Sequence, residues 1–234
     1  MITRQKLILL PGLLCDERLW HHQIAALGEI ADIVVADLTR QESMTALARE
    51  VLATAPDRIA LAGLSMGGYV AQEIMRQAPE RVTRLALLDT SARSDSAEQT
   101  ERRRGLIQLA ETGRFRGVTP RLLPLLIHRD RLSDKALTET VMAMAESVGQ
   151  AAFLRQQRAI MGRPDGRPDL LKIRVPTLVL CGREDALTPP ELHTELAASI
   201  PNARLVVIDH CGHLATMEEP EQVTAAMRRW LQPD

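Results

Sequence analysis

The chain has 234 residues, 45% of them hydrophobic, enough for one domain of ordinary size. Lys and Arg number 29 against 30 Asp and Glu, and this balance excludes the strongly basic surface of a nucleic-acid binder or of a protein drawn to anionic membranes. Three cysteines, Cys15, Cys181 and Cys211, form an odd set without metal-like spacing, and no apolar run nears the roughly 18 residues of a membrane span; the expectation is a cytoplasmic protein that uses no metal or cofactor.

Residues 1–14 carry basic residues and then a short apolar run. That run is too short for a signal peptide and flows into Pro11-Gly12, so residues 6–10 read as a first strand, buried on both faces. Leu19, Trp20, Ile24 and Leu27 then recur at helical spacing from Glu17, with Asp16 placed to cap. Residues 33–36 form a second strand. Ser43 can cap a helix whose Met44, Leu47, Ala48, Val51 and Leu52 share a face and which ends before Pro56. An apolar strand from Ile59 runs into Gly63-Leu64-Ser65-Met66-Gly67-Gly68, followed by a helix that Pro79 terminates, and residues 85–88 form a fourth strand ending in Asp89. Strand alternating with helix implies a parallel sheet with right-handed crossovers.

From Ser91 the rhythm changes. Residues 91–168 read as a charged helical insert, with helices over 98–110, 119–127, 133–148 and 151–161 and a Pro/Gly-rich exit. The α/β pattern resumes with a strand at 177–180, a helix at 190–200, a strand at 204–208 and a last helix at 220–231. The organisation expected is an α/β core, residues 1–90 and 169–234, built on a mostly or wholly parallel sheet of about six strands with helices on both faces. Residues 91–168 would be its helical lid. With five aromatic residues in the chain, a pocket here must be walled chiefly by Leu, Ile, Val and Met.

The sharp bend at Ser65 carries the chemistry. Glycines two positions to either side allow a tight strand-to-helix turn that holds the serine hydroxyl above the sheet, and the helix that follows aims its N-terminus at the same place. A nucleophilic serine needs a base, and the base an acid to orient it. Two late strands end in loops that supply candidates, Gly182-Arg183-Glu184-Asp185 and Asp209-His210-Cys211-Gly212-His213.

The order Ser65, Asp185, His213, with the Leu-Leu-Pro11-Gly12 loop, G-L-S-M-G-G, G-R-E-D-A-L-T-P, C-G-H-L and the following Glu-Glu-Pro220, resembles the α/β-hydrolase superfamily over nearly the whole chain. The resemblance implies that Ser65 attacks an acyl carbon, His213 moves the proton, Asp185 fixes the imidazole tautomer, and the backbone N–H groups of Met66 and Leu13 form an oxyanion hole. The substrate implied is a small-molecule carboxylic ester, with thioester, peracid and carbon–carbon bond chemistry as alternatives on the same fold, and an inactive ligand receptor as a different class. Two departures stand out: Pro11-Gly12 replaces the more usual His-Gly, leaving Leu13 and Leu14 as rival donors, and residues 1–5 leave no room for the customary opening hairpin. Oligomeric state leaves no sequence signal.

Rival roles exist for several residues. Asp185 could merely cap a turn before Pro189, and Asp89 sits where some relatives place the acid. His210 lies too close to its strand end to serve as the base. His21, His22, His128 and His193 read as surface or boundary residues, and the cysteines as packed thiols, with Cys15 nearest the proposed site. Leu14, Leu122 and Leu126 are the candidate substrate contacts, with Leu123, Leu125 and Ile127 in the same apolar wall. Arg102, Arg103, Arg104, Arg114, Arg116, Arg121, Arg129 and Arg131 crowd the insert. Acids nearby favour a solvated, ion-paired surface; the alternative is that some of these arginines steer an anionic substrate.

Overall fold

The structure, a computed structural model, describes residues 4–232. Six parallel strands form one sheet: β1 (Gln5–Leu10), β2 (Ala31–Val35), β3 (Ile59–Leu64), β4 (Val82–Leu88), β5 (Thr177–Gly182) and β6 (Ala203–Ile208), in the order β2-β1-β3-β4-β5-β6. The continuous apolar run of β1 suits a strand covered on both sides, because successive side chains point to opposite faces. Leu7 and Leu9 join Trp20, Leu27, Val223 and Met227 in one core cluster, whereas Ile8 and Leu10 join Leu47, Val51 and Ile74 in the other. No opening hairpin is expected from residues 1–5, of which 1–3 lie outside the described residues; every strand pair among the described residues is parallel.

Helices cover the two faces. A short 3-10 turn, Glu17–Trp20, leads into α1 (His21–Leu27), and Asp16 caps it by accepting the Arg18 N–H. Ser43 caps α2 (Met44–Thr54) through the Ala46 N–H at 3.2 Å. Helix α3 (Met66–Gln77) follows the bend after β3 and is buried along most of its length, so its axis is fixed against the sheet. The chain passes from β1 outward to β2 and then returns to the other side of β1 with β3. The strand order therefore reverses between β1 and β3, and the crevice beyond their C-terminal ends is where sheets of this kind hold ligands. Residues 11–15 and Ser65 both lie at that point.

Between β4 and β5 there is no strand among the described residues; the stretch holds α4 (Ala97–Leu109), α5 (Leu123–Leu126), α6 (Lys135–Met161) and α7 (Arg167–Leu170), with a π-helical turn at Ala110–Arg114 and a 3-10 turn at Arg129–Arg131. Ser96 and Gln99 form a reciprocal capping box at the start of α4. Helix α6 is broken at Gly149, whose φ of 78° lies outside the helical region, so it matches the two helices expected over 133–148 and 151–161. The helix expected over 119–127 is a correction: only the single turn Leu123–Leu126 forms. Pro124 lacks the N–H that a helix starting at Thr119 would need at that position, and its ring would meet the carbonyl four residues back. After β5 come α8 (Pro190–Ser199), β6, the turn α9 (Ala215–Glu218) and α10 (Pro220–Leu231). Among the described residues no helix is long and apolar enough to cross a membrane.

Candidate active site

Ser65 has φ 54° and ψ −114°, a left-handed conformation that costs a non-glycine residue about 1–3 kcal/mol. The flanking glycines are required for a different reason, close approach. A Cβ on Gly63 would lie 2.3 Å from the Gly67 carbonyl oxygen, and one on Gly67 would lie 2.0 Å from that of Leu10. The strain is borne by the serine itself and held in place by hydrogen bonds. Its N–H donates to the Leu88 carbonyl at 2.9 Å, and its carbonyl accepts the Thr90 hydroxyl at 2.8 Å.

Thr90 is held in turn by His193. The Thr90 N–H donates to His193 Nε2 at 2.8 Å, an acceptor that exists only while the imidazole is neutral. Burial holds the His193 pKa down at about 4, which keeps it so. This corrects the expected surface or boundary placement: His193, on α8, is fully buried because it packs against the end of β4. His128 is likewise buried, its N–H donated to Glu218 at 2.6 Å.

The structure brings Ser65, His213 and Asp185 together from the ends of β3, β6 and β5. Ser65 Oγ lies 2.9 Å from His213 Nε2, and His213 Nδ1 lies 2.8 Å and 2.9 Å from the two carboxylate oxygens of Asp185. An ionised carboxylate only accepts, so Nδ1 carries the proton and the Nε2 lone pair faces the serine hydroxyl. Asp185 also does what the rival reading assigned it, accepting the Leu187 and Thr188 N–H groups, each at 2.9 Å, and the Thr188 hydroxyl at 2.6 Å. Burial pushes its carboxyl up, yet electrostatic attraction to the His213 ring, the His213 hydrogen bond and the Thr188 donors outweigh that and hold it below the usual carboxylate range.

Asp89 is buried without touching His213. Its oxygens accept the Gly182 N–H at 3.0 Å and the Ala215 N–H at 3.3 Å, and burial next to the Asp185 charge pushes its carboxyl well up. His210 is exposed, edge-on to His128 and outside the cavity described below.

Of the two rival donors after β1, Leu14 is already engaged: its N–H donates to Gln156 Oε1 of α6 at 3.1 Å. The Leu13 N–H has no partner among the described residues. Met66 is the first residue of α3, where an N–H has no partner within the helix. Gln156 went unnoticed in sequence. It is almost fully buried and also donates to the Leu38 carbonyl at 3.1 Å; the one available signal was an amide on the buried face shared with Ala152, Phe153 and Ala159.

A cavity of about 930 Å³ opens over Ser65 and His213. Leu13, Leu14, Leu122, Leu125 and Leu126 line it, whereas Leu123 and Ile127 turn away into the core, a correction to the expected apolar wall. Cys15 lines it too, but burial raises its thiol to about 12, so it is protonated at neutral pH and a poor nucleophile. The insert arginines divide. Arg103 is paired with Asp95, Arg104 with Glu101, Arg129 with Asp130, and Arg131 with Asp134 and Glu219. Arg102, Arg114 and Arg116 line the cavity and have no carboxylate partner among the described residues. His128, Asp130 and His210 bring possible metal-ligating atoms within 4.8 Å of one another, but none of the three lines the cavity, and His128 Nδ1 already accepts the Asp130 N–H.

A parallel sheet with a strained serine after β3 and loops after β5 and β6 converging on it defines an α/β hydrolase. The chain belongs to the alpha/beta hydrolase family, whose model matches residues 7–226. It is 33% identical over 193 residues to "Putative non-heme bromoperoxidase BpoC" of Mycobacterium tuberculosis, covering 80% of this chain and 72% of that one. A thermophilic esterase from Thermogutta terrifontis, solved with malate bound, superposes with a TM-score of 0.89 at 32% identity, over 98% of this chain and 90% of that one. A pimeloyl-[acyl-carrier protein] methyl ester esterase of Vibrio parahaemolyticus is 25% identical, over 97% of this chain and 94% of that one.

Proposed function

We propose that this hydrolase cleaves small to medium carboxylic esters through an acyl-enzyme on Ser65. The observation that carries the reading is the hydrogen-bonded line from Ser65 Oγ through His213 to Asp185, at 2.9 Å and 2.8 Å, beside a cavity of about 930 Å³. As Ser65 Oγ attacks the ester carbon, His213 Nε2 takes its proton. The resulting imidazolium is stabilised by Asp185, and the carbonyl oxygen gathers negative charge in front of the Met66 and Leu13 N–H groups. His213 then returns the proton to the departing alcohol. Water, deprotonated by the same nitrogen, releases the acid and restores Ser65. Residues 91–168 act as a lid whose Leu122, Leu125 and Leu126, lining the same cavity as Leu14, hold the acyl chain.

The name of the Thermogutta relative supports ester cleavage, and the name of BpoC keeps a second reading in view, in which hydrogen peroxide rather than water takes the acyl group and a peracid leaves. The three cavity arginines without carboxylate partners point to a substrate that carries a negative charge, since a guanidinium donates two parallel hydrogen bonds to a carboxylate or phosphate.

The test is covalent labelling of Ser65 by a fluorophosphonate together with repeated turnover of a p-nitrophenyl ester. Labelling without turnover would favour a ligand receptor. For the charge preference, kcat/KM of a neutral and an anionic ester of equal chain length is followed across a salt series. Only the anionic ester should weaken with salt and in Arg102→Ser/Arg114→Ser/Arg116→Ser, because attraction between exposed charges is largely screened beyond about 8 Å at physiological ionic strength. Equal responses would return these arginines to the solvated surface.

A further inference from the structure

We infer that Glu218 is a positioning residue for His213, and that it does this by tying the loop that bears the imidazole to residues 126–128 of the insert. The inference rests on the reading of His213 as the general base. Glu218 ends α9 and is 1% exposed. Its Oε1 accepts the N–H groups on either side of His213, those of Gly212 and Leu214, each at 3.1 Å. Its Oε2 accepts the His128 N–H at 2.6 Å and shares the Gly212 N–H at 3.1 Å. The knot is closed by Leu126, whose carbonyl accepts the N–H groups of His213 at 3.0 Å and Leu214 at 3.1 Å.

Gly212 is the residue that lets the two segments approach. A Cβ there would lie 2.8 Å from His128 N and from Ile127 C, and 3.0 Å from Glu218 Oε1. One buried carboxylate thus receives three backbone donors from two segments more than eighty residues apart, and two of those donors flank the base. A carboxylate suits this task because it accepts at both oxygens and donates nowhere. A glutamine of the same shape cannot replace it: whichever way the amide turns, its NH2 faces a backbone N–H.

The inference makes residues 126–128 more than a wall of the cavity. Their position sets the height and tilt of the imidazole over Ser65, where a misplacement of about 1 Å can cost 10²-fold in rate.

The experiment uses Glu218→Gln together with the pair His128→Pro and His128→Ala, read by kcat and KM on a p-nitrophenyl ester, melting temperature, and the downfield proton resonance of the His213–Asp185 hydrogen bond. Proline fits the backbone at 128, where φ is −59° and ψ 144°, and Ile127 before it is extended, so His128→Pro removes the N–H and presents a ring carbon to Oε2 without breaking the chain path. His128→Ala removes only the side chain. The expected result is a kcat 10-fold or more lower in Glu218→Gln than in wild type, and in His128→Pro than in His128→Ala. KM should stay within threefold, and the downfield resonance should shift. If both variants keep kcat within twofold of their references, or lose it only in proportion to unfolding, the inference is wrong. His213→Ala separates the two levels: an active His213→Ala overturns the base assignment itself, whereas an inactive His213→Ala beside an unimpaired Glu218→Gln overturns only the role of Glu218.

Discussion

Asp185→Asn isolates one proton. Asp185 Oδ1 faces the Leu187 and Thr188 N–H groups, so the oxygen of an asparagine must stay on that side, and its NH2 falls where Oδ2 met His213 Nδ1. The NH2 then faces Nδ1 at 2.8 Å and cannot take its proton; although Oδ1 also lies 2.9 Å from Nδ1, the opposed N–H groups are relieved when Nδ1 becomes the acceptor. The ring proton moves to Nε2 and points at Ser65 Oγ, and a nitrogen that already carries a proton cannot take another from the serine. The Thr188 hydroxyl, which donates to Oδ2 at 2.6 Å, can rotate to accept from the NH2 instead, so no buried group is left unpaired and the fold should persist. The expected loss is up to about 10⁴-fold in kcat, equivalent to roughly 5 kcal/mol of transition-state stabilisation, with KM and melting temperature little changed. Steady-state ester hydrolysis and a thermal melt on the same preparation check it. The matched control, Asp89→Asn, places an NH2 against the Gly182 or Ala215 N–H and should cost about 1–3 kcal/mol of stability with a much smaller effect on kcat. Turnover by Asp185→Asn within tenfold of wild type would refute the tautomer reasoning, and a reversal of the two variants would move the acid to the end of β4.

Ser65→Ala should lower kcat by up to about 10⁶-fold while leaving the melting temperature where it was, since alanine keeps the Cβ and the strain. Ser65→Gly should be equally inactive yet more stable by about 1 kcal/mol, measured by urea unfolding, because glycine occupies φ 54° freely. His193 is neutral when folded, with a pKa of about 4, and near 6.5 when unfolded, so the unfolded chain binds the extra proton between those values. Its contribution to stability is whole above pH 6.5, falls as the pH drops, and is lost by pH 4, a change on the order of 3 kcal/mol. Subtracting the unfolding free energies of His193→Gln from those of wild type between pH 7 and 4 should recover that slope; a flat difference would show that His193 titrates normally.

The strands were legible because their signal is local. Leu7 through Leu10 cannot be a solvated segment, and a run apolar at every position suits a strand between two helical layers. The bend at Ser65 was legible as a pattern, glycines permitting a tight turn around the serine, although the contacts that demand them were not: a Cβ on Gly67 would meet the Leu10 carbonyl and one on Gly63 that of Gly67. His193 could not be read because what defines it, the Thr90 N–H, lies 103 residues earlier. Leu14 as a rival donor could be settled only by Gln156, 142 residues later. The single-turn α5 was recoverable, since Pro124 speaks against a helix begun at Thr119. For His193 and Leu14 a polar group is explained by a partner distant in sequence, and no periodicity encodes that.

Gln156 has a consequence for anyone who would remodel this enzyme by exchange of parts. Through its one amide, helix α6 holds both the turn after β1, at Leu14, and the carbonyl of Leu38. A foreign segment grafted between β4 and β5 to alter substrate range would leave that turn without its anchor, and Leu14, at φ 58°, is strained and ready to relax. Chimeras made at these junctions should lose rate on every substrate alike unless the graft brings its own amide to the same place, so the region cannot be treated as an interchangeable cassette.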